Sequence, residues 1–237
     1  MIEGLTKYWG FYFVVVPDAN GVGVGDLQDA LNNVAEYGAW MSDLRPLPPR
    51  ERARQNELNS QIASNHLRKV LAAKIVVFQL FLQLAIKVDG KILEKHKRIW
   101  LLFQLSNQLG PHRGTLHPFT RSIGKSLHRA SFETLTTLVD RLPDILGKYL
   151  PQPHFIIELD EVQRAARLYP YSFISSTSDG IFRSILREIV KVFTNLSIKL
   201  VVSGTGLSLE DLEDDVASGV LKPRAVGLFH QLGMFDS

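Results

Sequence analysis

Two apolar runs of this chain end in oxygen-bearing side chains. In "HFIIELDEVQRAA" (154–166) an apolar segment leads straight into Asp160 and Glu161. In "IKLVVSGTGLS" (198–208) a second one ends in Ser203 and Thr205, interleaved with glycine. A carboxylate in the first position can hold a magnesium ion through water, and its neighbour can polarise an attacking water. A hydroxyl at the end of an adjacent strand can sense a phosphate. The plainer readings are two acids capping the following helix, and a strand-to-helix turn that uses glycine for positive φ. About 40 residues separate Asp160 from Ser203, room for one helix between two parallel strands. If both runs are strands, both polar ends emerge at the carboxyl edge of one sheet, where α/β folds bind ligands.

The elements that must position these groups follow from the apolar pattern. "FYFVVV" (11–16), "HFIIELD" (154–160) and "IKLVVSG" (198–204) read as buried strands, short, β-branched or aromatic, and bounded by polar residues. Their near-continuous apolarity suggests a parallel sheet covered on both faces. Helices are expected over 26–37 with Asp26 as N-cap, 55–87, 93–108, 131–148, 180–195 and 209–217 with Ser208 as N-cap. Residues 45–54, "RPLPPRERAR", read as a proline-broken connector, and 109–124 as a loop. The fold class is therefore α/β, a three-stranded parallel sheet with a helical insertion over about 45–150 in a single domain.

Composition narrows the chemistry. The chain has 237 residues, 45% of them hydrophobic and 22% charged, which is a globular composition. It has no cysteine, which removes disulfides, thiol catalysis and cysteine-zinc sites and suits an intracellular setting, cytoplasmic or nuclear. The start, "MIEGLTKYWG", lacks the pattern of a secretion signal. The run "VLAAKIVVFQLFLQLAI" (70–86) is at the short end for a bilayer span and contains Lys74, Gln79 and Gln83, so a buried core helix and no membrane is the expectation. Zinc finds only the pair His112 and His117, with no third ligand near, and there is no G-x-S-x-G elbow.

Charge is unevenly spread. Residues 89–130 carry Lys91, Lys95, Lys97, Arg98, Arg113, Arg121, Lys125 and Arg129 against Asp89 and Glu94, while "EDLEDD" (210–215) holds five acids. The basic stretch is a nucleic-acid candidate through Lys95, Lys97 and Arg98, weighed against a merely solvated basic face because aromatics are not interleaved in it.

A phosphate cradle is harder to find. "VPDANGVGVGD" places Gly21, Gly23 and Gly25 between a strand and a helix, but no lysine follows and the spacing does not match G-x-G-x-x-G. Gly124-Lys125-Ser126 has Phe119 where the first glycine of G-x-x-x-x-G-K-[ST] belongs and no apolar strand before it. The acidic half of an ATPase site is present without the cradle.

Taken together, "MIEGLTKYWGFYFVV…NGVGVGDLQ", "KIVVFQLFLQLAI…HKRIWLLFQL", "FIIELDEVQRAA", "ILREIVKVF" and "LVVSGTGLS" resemble the P-loop ATPase module of fungal Crinkler-like and retrotransposon-hotspot-like proteins. The most specific matches are Asp160, Glu161 and Gln163, and the stretch from Ser203 to Gly206. The resemblance implies magnesium and ATP as cofactors of intact relatives, with Asp160 serving magnesium, Glu161 as base, and Ser203 or Thr205 sensing the γ-phosphate. It also implies the sheet order 5-1-4-3-2, with the present strands as the second, third and fourth. The family's phosphate loop precedes the helix in which Met1 falls, so a partial or degenerate domain with weak or no turnover is expected, either a mis-started gene model or a degenerate copy. "IKLVVSG" would then form an open sheet edge, inviting self-association or a covering N-terminal segment.

Overall fold

The computed structural model describes residues 3–16, 25–105, 118–150, 154–175, 180–194, 196 and 198–204. Gly21, Gly23, Thr205, His112, Arg113, His117 and the expected helix and acidic run after residue 208 lie outside the described residues.

The three apolar runs form one parallel sheet. Strands β1 (Trp9–Val14), β2 (Phe155–Asp160) and β5 (Lys199–Val202) are ordered β1-β2-β5, so the acid-bearing strand is central. Trp9 pairs with Phe155 and Val14 with Asp160; Ile156 pairs with Lys199 and Leu159 with Val202. A small antiparallel pair, β3 (Phe173–Ile174) and β4 (Phe182–Arg183), stands apart from this sheet.

Nine α-helices are described. They are α1 (Glu3–Lys7), α2 (Asp26–Ala35), α3 (Pro49–Asp89), α4 (Glu94–Leu105), α5 (Pro118–Ser126), α6 (Phe132–Asp140), α7 (Leu142–Tyr149), α8 (Val162–Arg167) and α9 (Leu186–Thr194). A single 3-10 turn, Leu127–Arg129, joins α5 to α6. The described residues are mostly helical, and the fold class is α/β.

Strand alternation assigns the two sheet faces. Phe11, Phe13, Val15, Phe155, Ile157 and Leu159 join the main core, built with Leu67, Leu71, Ile75 and Phe78 of α3 and Ile189 and Phe193 of α9. The opposite side chains, Tyr12, Val14 and Ile156, pack with Leu5 of α1 and Leu101 of α4. The apolar run at 70–86 is the middle of α3. Half of its most apolar window is buried, although by length and composition this helix could cross a membrane.

Several expected boundaries are corrected. The connector at 45–54 becomes helix from Pro49, because proline at the first helical position sacrifices no intrahelical hydrogen bond. Helix α3 ends at Gly90, whose φ of 73° makes the left-handed cap and whose N–H donates to the Ile86 carbonyl at 2.8 Å. Asp26 is not an N-cap; Gly25 holds that position and Asp26 is buried as the first helical residue. The expected loop at 109–124 is helical from Pro118 onward, with Thr120 turned inward. The helix expected over 131–148 is two helices separated at Arg141, with Pro143 in the first turn of the second. Ser131, not part of either, caps α6 by accepting from the Thr134 N–H at 3.1 Å. The helix expected from 180 begins at Leu186, because Gly180 at φ 81° and strand β4 occupy its start.

Side chains close the outer edge of β1. The Tyr12 N–H donates to Gln104 Oε1 at 2.9 Å, and the Tyr12 carbonyl accepts from Lys74 Nζ at 2.6 Å. The Gly10 carbonyl accepts from Trp100 Nε1 at 2.9 Å and Gln104 Nε2 at 3.1 Å. These groups would otherwise be an unpaired strand edge. Gly10 has to be glycine, since a Cβ there would sit 2.3 Å from the Ile156 carbonyl oxygen and 2.4 Å from Leu5 Cδ2.

Candidate functional site: the carboxyl edge of the sheet

Asp160 ends the central strand, and its carboxylate ties all three strands together. Oδ2 accepts from the Tyr12 hydroxyl of β1 at 2.7 Å. Oδ1 accepts from the Ser203 hydroxyl, just past β5, at 3.1 Å and from the Glu161 N–H at 2.8 Å. Tyr12 lies opposite Glu158 in the register, so it reaches Asp160 on the diagonal across the same sheet face. Ser203 is fixed in turn: its N–H donates to the Leu159 carbonyl at 2.9 Å, and its carbonyl accepts from the Val162 N–H at 3.1 Å. The acid and the strand-end hydroxyl therefore meet, as their spacing predicts.

Glu161 follows in a left-handed conformation, φ 58° and ψ 32°, at the N-cap of α8. A non-glycine residue there carries roughly 1–2 kcal/mol of backbone strain. Its Oε2 accepts from Gln163 Nε2, which orients the carboxylate next to Asp160. Glu161→Gly should relieve the strain and raise stability by roughly 0.5–1 kcal/mol, after the greater unfolded-state freedom of glycine is subtracted. Urea denaturation checks this, and a lower midpoint would count against the strain.

The same sheet face holds a carboxyl that sequence reading passes over. Glu158 is 4% exposed, shares the face of Asp160 two residues on, and its Oε2 has no hydrogen-bond partner among the described residues. Burial pushes its pKa from 4.5 up to about 7, and the negative charge of Asp160 adds in the same direction. The signal was the glutamate at every-second spacing with Asp160 inside an apolar strand. On the other side of β1, Lys74 is fully buried with its ammonium 4.2 Å from the centre of the Phe13 ring. Burial lowers its pKa to about 8, and Asp26 partly opposes that shift. Asp26 is itself raised to about 6 by burial, with Lys74 pulling it back down.

The basic candidates do not form one surface. Lys95 is exposed and ion-paired with Asp89 at 2.7 Å. Lys97 is buried, donating to the Lys7 carbonyl at 2.9 Å and pairing with Glu94 at 2.8 Å. Arg98 is exposed. Gly124-Lys125-Ser126 forms the last turn of helix α5. Compared with known proteins, the chain matches no family model, no curated protein and no solved structure.

The oxygen donors at the carboxyl edge suit a hard cation such as magnesium. Both Asp160 oxygens already accept protein hydrogen bonds, so they fit a cation held through water better than one bound directly. No group of three or more His, Asp or Glu side chains that could enclose a metal occurs among the described residues. The described residues also supply no glycine-rich loop with a lysine to hold nucleotide phosphates, since Lys74 is buried against Tyr12 and Lys97 against Lys7.

Proposed function

We propose that the chain is a P-loop NTPase-like domain carrying the acid-and-hydroxyl half of a magnesium–nucleotide site, with weak or no turnover by itself. The observation that carries this reading is the 3.1 Å contact between Ser203 and Asp160 at the carboxyl ends of adjacent parallel strands. In this reading Asp160 would hold a magnesium ion through water, Glu161 would accept a proton from an attacking water, and Ser203 or Thr205 would sense the phosphate. The cation supplies neutralisation of phosphate charge. Tyr12 and the Glu161 N–H hold the Asp160 carboxylate in place. Without a lysine-bearing cradle among the described residues, most of the phosphate-binding energy would be missing, which is why weak turnover is proposed.

Titration of manganese, as a spin probe for magnesium, with ATP present tests the reading. Protein-dependent loss of the free-manganese signal is expected, weaker than micromolar, and Asp160→Asn should weaken it by about tenfold or more. Equal binding by the wild type and Asp160→Asn would refute the assignment of Asp160. Micromolar binding with sustained ATP hydrolysis would refute weak turnover.

A further inference from the structure

The face formed by α5, the Leu127–Arg129 turn and the start of α6 carries the charge excess of the chain. Between Pro118 and Phe132 stand Arg121, Lys125 and Arg129 with no acid, and the formal net charge of the whole chain is +3. The rest of the chain is therefore electrically balanced. Helix α5 turns Thr120 inward, with Ile123 packed against the core, which leaves Arg121 and Lys125, one turn apart, on its outer side. His128 and Arg129 extend the exposed row. None of these four side chains has an ion pair among the described residues.

Two aromatic rings stand on the same segment. Phe119 is 62% exposed and Phe132 is 50% exposed. Both rings keep at least half of their surface exposed beside these cations. Phe119 is held by a parallel ring contact with Phe103, centroids 6.2 Å apart. Phe132 carries the Arg68 guanidinium of α3 over its face at 4.9 Å, and Arg68 is itself braced by Ser64. The positive field continues onto α3. His66 is held down to about 4, by burial first and then by Lys69 and His128. The nearest acids on α6 are Glu133 and Asp140, and only Asp140 acts on Arg68.

We propose that this face, with Phe119 and Phe132 as stacking rings and Arg121, Lys125 and Arg129 as phosphate contacts, binds single-stranded nucleic acid. Rings that accept any base, flanking a row of cations at one-turn spacing, are the chemistry that tracks an unpaired strand. A duplex hides its base faces and would leave both rings unused. Its residues include none of those at the carboxyl edge of the sheet, nor Lys95 and Arg98 of α4, which touches the face through Phe103.

Fluorescence anisotropy of the full chain with labelled oligo-dT and oligo-rU tests the proposal, with a duplex of the same length and phosphatidylserine vesicles in parallel. Single strands should bind more tightly than the duplex. The Arg121→Ala/Lys125→Ala/Arg129→Ala variant should make the salt dependence shallower by about two in log–log slope. Phe119→Ala should weaken binding about tenfold at constant salt, while Lys95→Ala/Arg98→Ala should leave it unchanged. All the substituted side chains are exposed, and an unchanged thermal melt confirms that each variant folds. Duplex binding equal to or tighter than single-strand binding, loss of affinity confined to the Lys95/Arg98 variant, no effect of Phe119→Ala, or binding to vesicles alone would each overturn it.

Discussion

Replacing Lys74 by alanine is expected to destabilise the fold by roughly 2–5 kcal/mol, the range for truncating a long buried side chain. The ammonium is fully buried in the most apolar part of α3, where isolated charge is least tolerated. It is kept there by three things: the Tyr12 carbonyl at 2.6 Å, the face of the Phe13 ring, and the opposing charge of Asp26. Truncation leaves the Tyr12 carbonyl without its donor and Asp26 without its counter-charge. Oδ1 of Asp26 has no hydrogen-bond partner among the described residues even in the wild type. Part of the loss then comes from the acid left without its counter-charge. Lys74→Met with Asp26→Asn should recover much of the stability that Lys74→Ala removes, because neutral groups of similar size replace both charges. Urea denaturation of the two variants measures this. A double variant no more stable than Lys74→Ala would show that the lysine acts only through packing.

The second large effect is a dependence on pH. Glu158 has a folded pKa of about 7 against an ordinary 4.5, so the folded state binds its proton more tightly than the unfolded chain does. The stabilisation from the neutral carboxyl is fully present below pH 4.5 and is lost as pH rises through 7. The shift corresponds to at most about 3 kcal/mol, reduced where solvent screens the carboxyl. Glu158→Gln keeps the shape and cannot ionise, so it should match the wild type near pH 4.5 and exceed it by up to that amount near pH 8. Asp26, raised to about 6, changes stability in the same direction, but it is common to both proteins and cancels in their difference. Urea midpoints of wild type and Glu158→Gln between pH 4.5 and 8 provide the measurement. A difference that stays constant with pH would mean that burial does not shift the Glu158 carboxyl. The carboxyl has little room to relieve itself, because Gly4 of α1 lies so close that a Cβ there would be 2.6 Å from Glu158 Oε1.

The sheet was readable from sequence because its strands are short apolar runs with polar ends, and such runs have few ways to be buried other than side by side. That Asp160 and Ser203 meet followed from the same pattern, since parallel strands bring their carboxyl ends together. Tyr12 was not readable as the third member. Its role depends on the diagonal register between β1 and β2, which no local pattern encodes. Lys97 shows the opposite failure. It stands in a run of cations and looks solvated, yet the Lys7 carbonyl, 90 residues away in sequence, draws it inward. Glu158 was hidden by its neighbours, because one acid in an apolar strand does not say whether its carboxyl finds a partner. The helix boundaries at Pro49 and Arg141 escaped because proline reads as a breaker, whereas in the first turn it is a starter.

The closed outer edge of β1 also bears on the order of folding. Strand β1 must pair with a segment more than a hundred residues later, a contact that is slow to find along a loose chain. Trp100, Gln104 and Lys74, which hold that edge, all belong to the intervening helices. Helices α3 and α4 can therefore receive β1 before β2 arrives and shorten the search by standing in for the missing neighbour. The region inserted between the first two strands of the sheet is then the template on which the sheet is assembled.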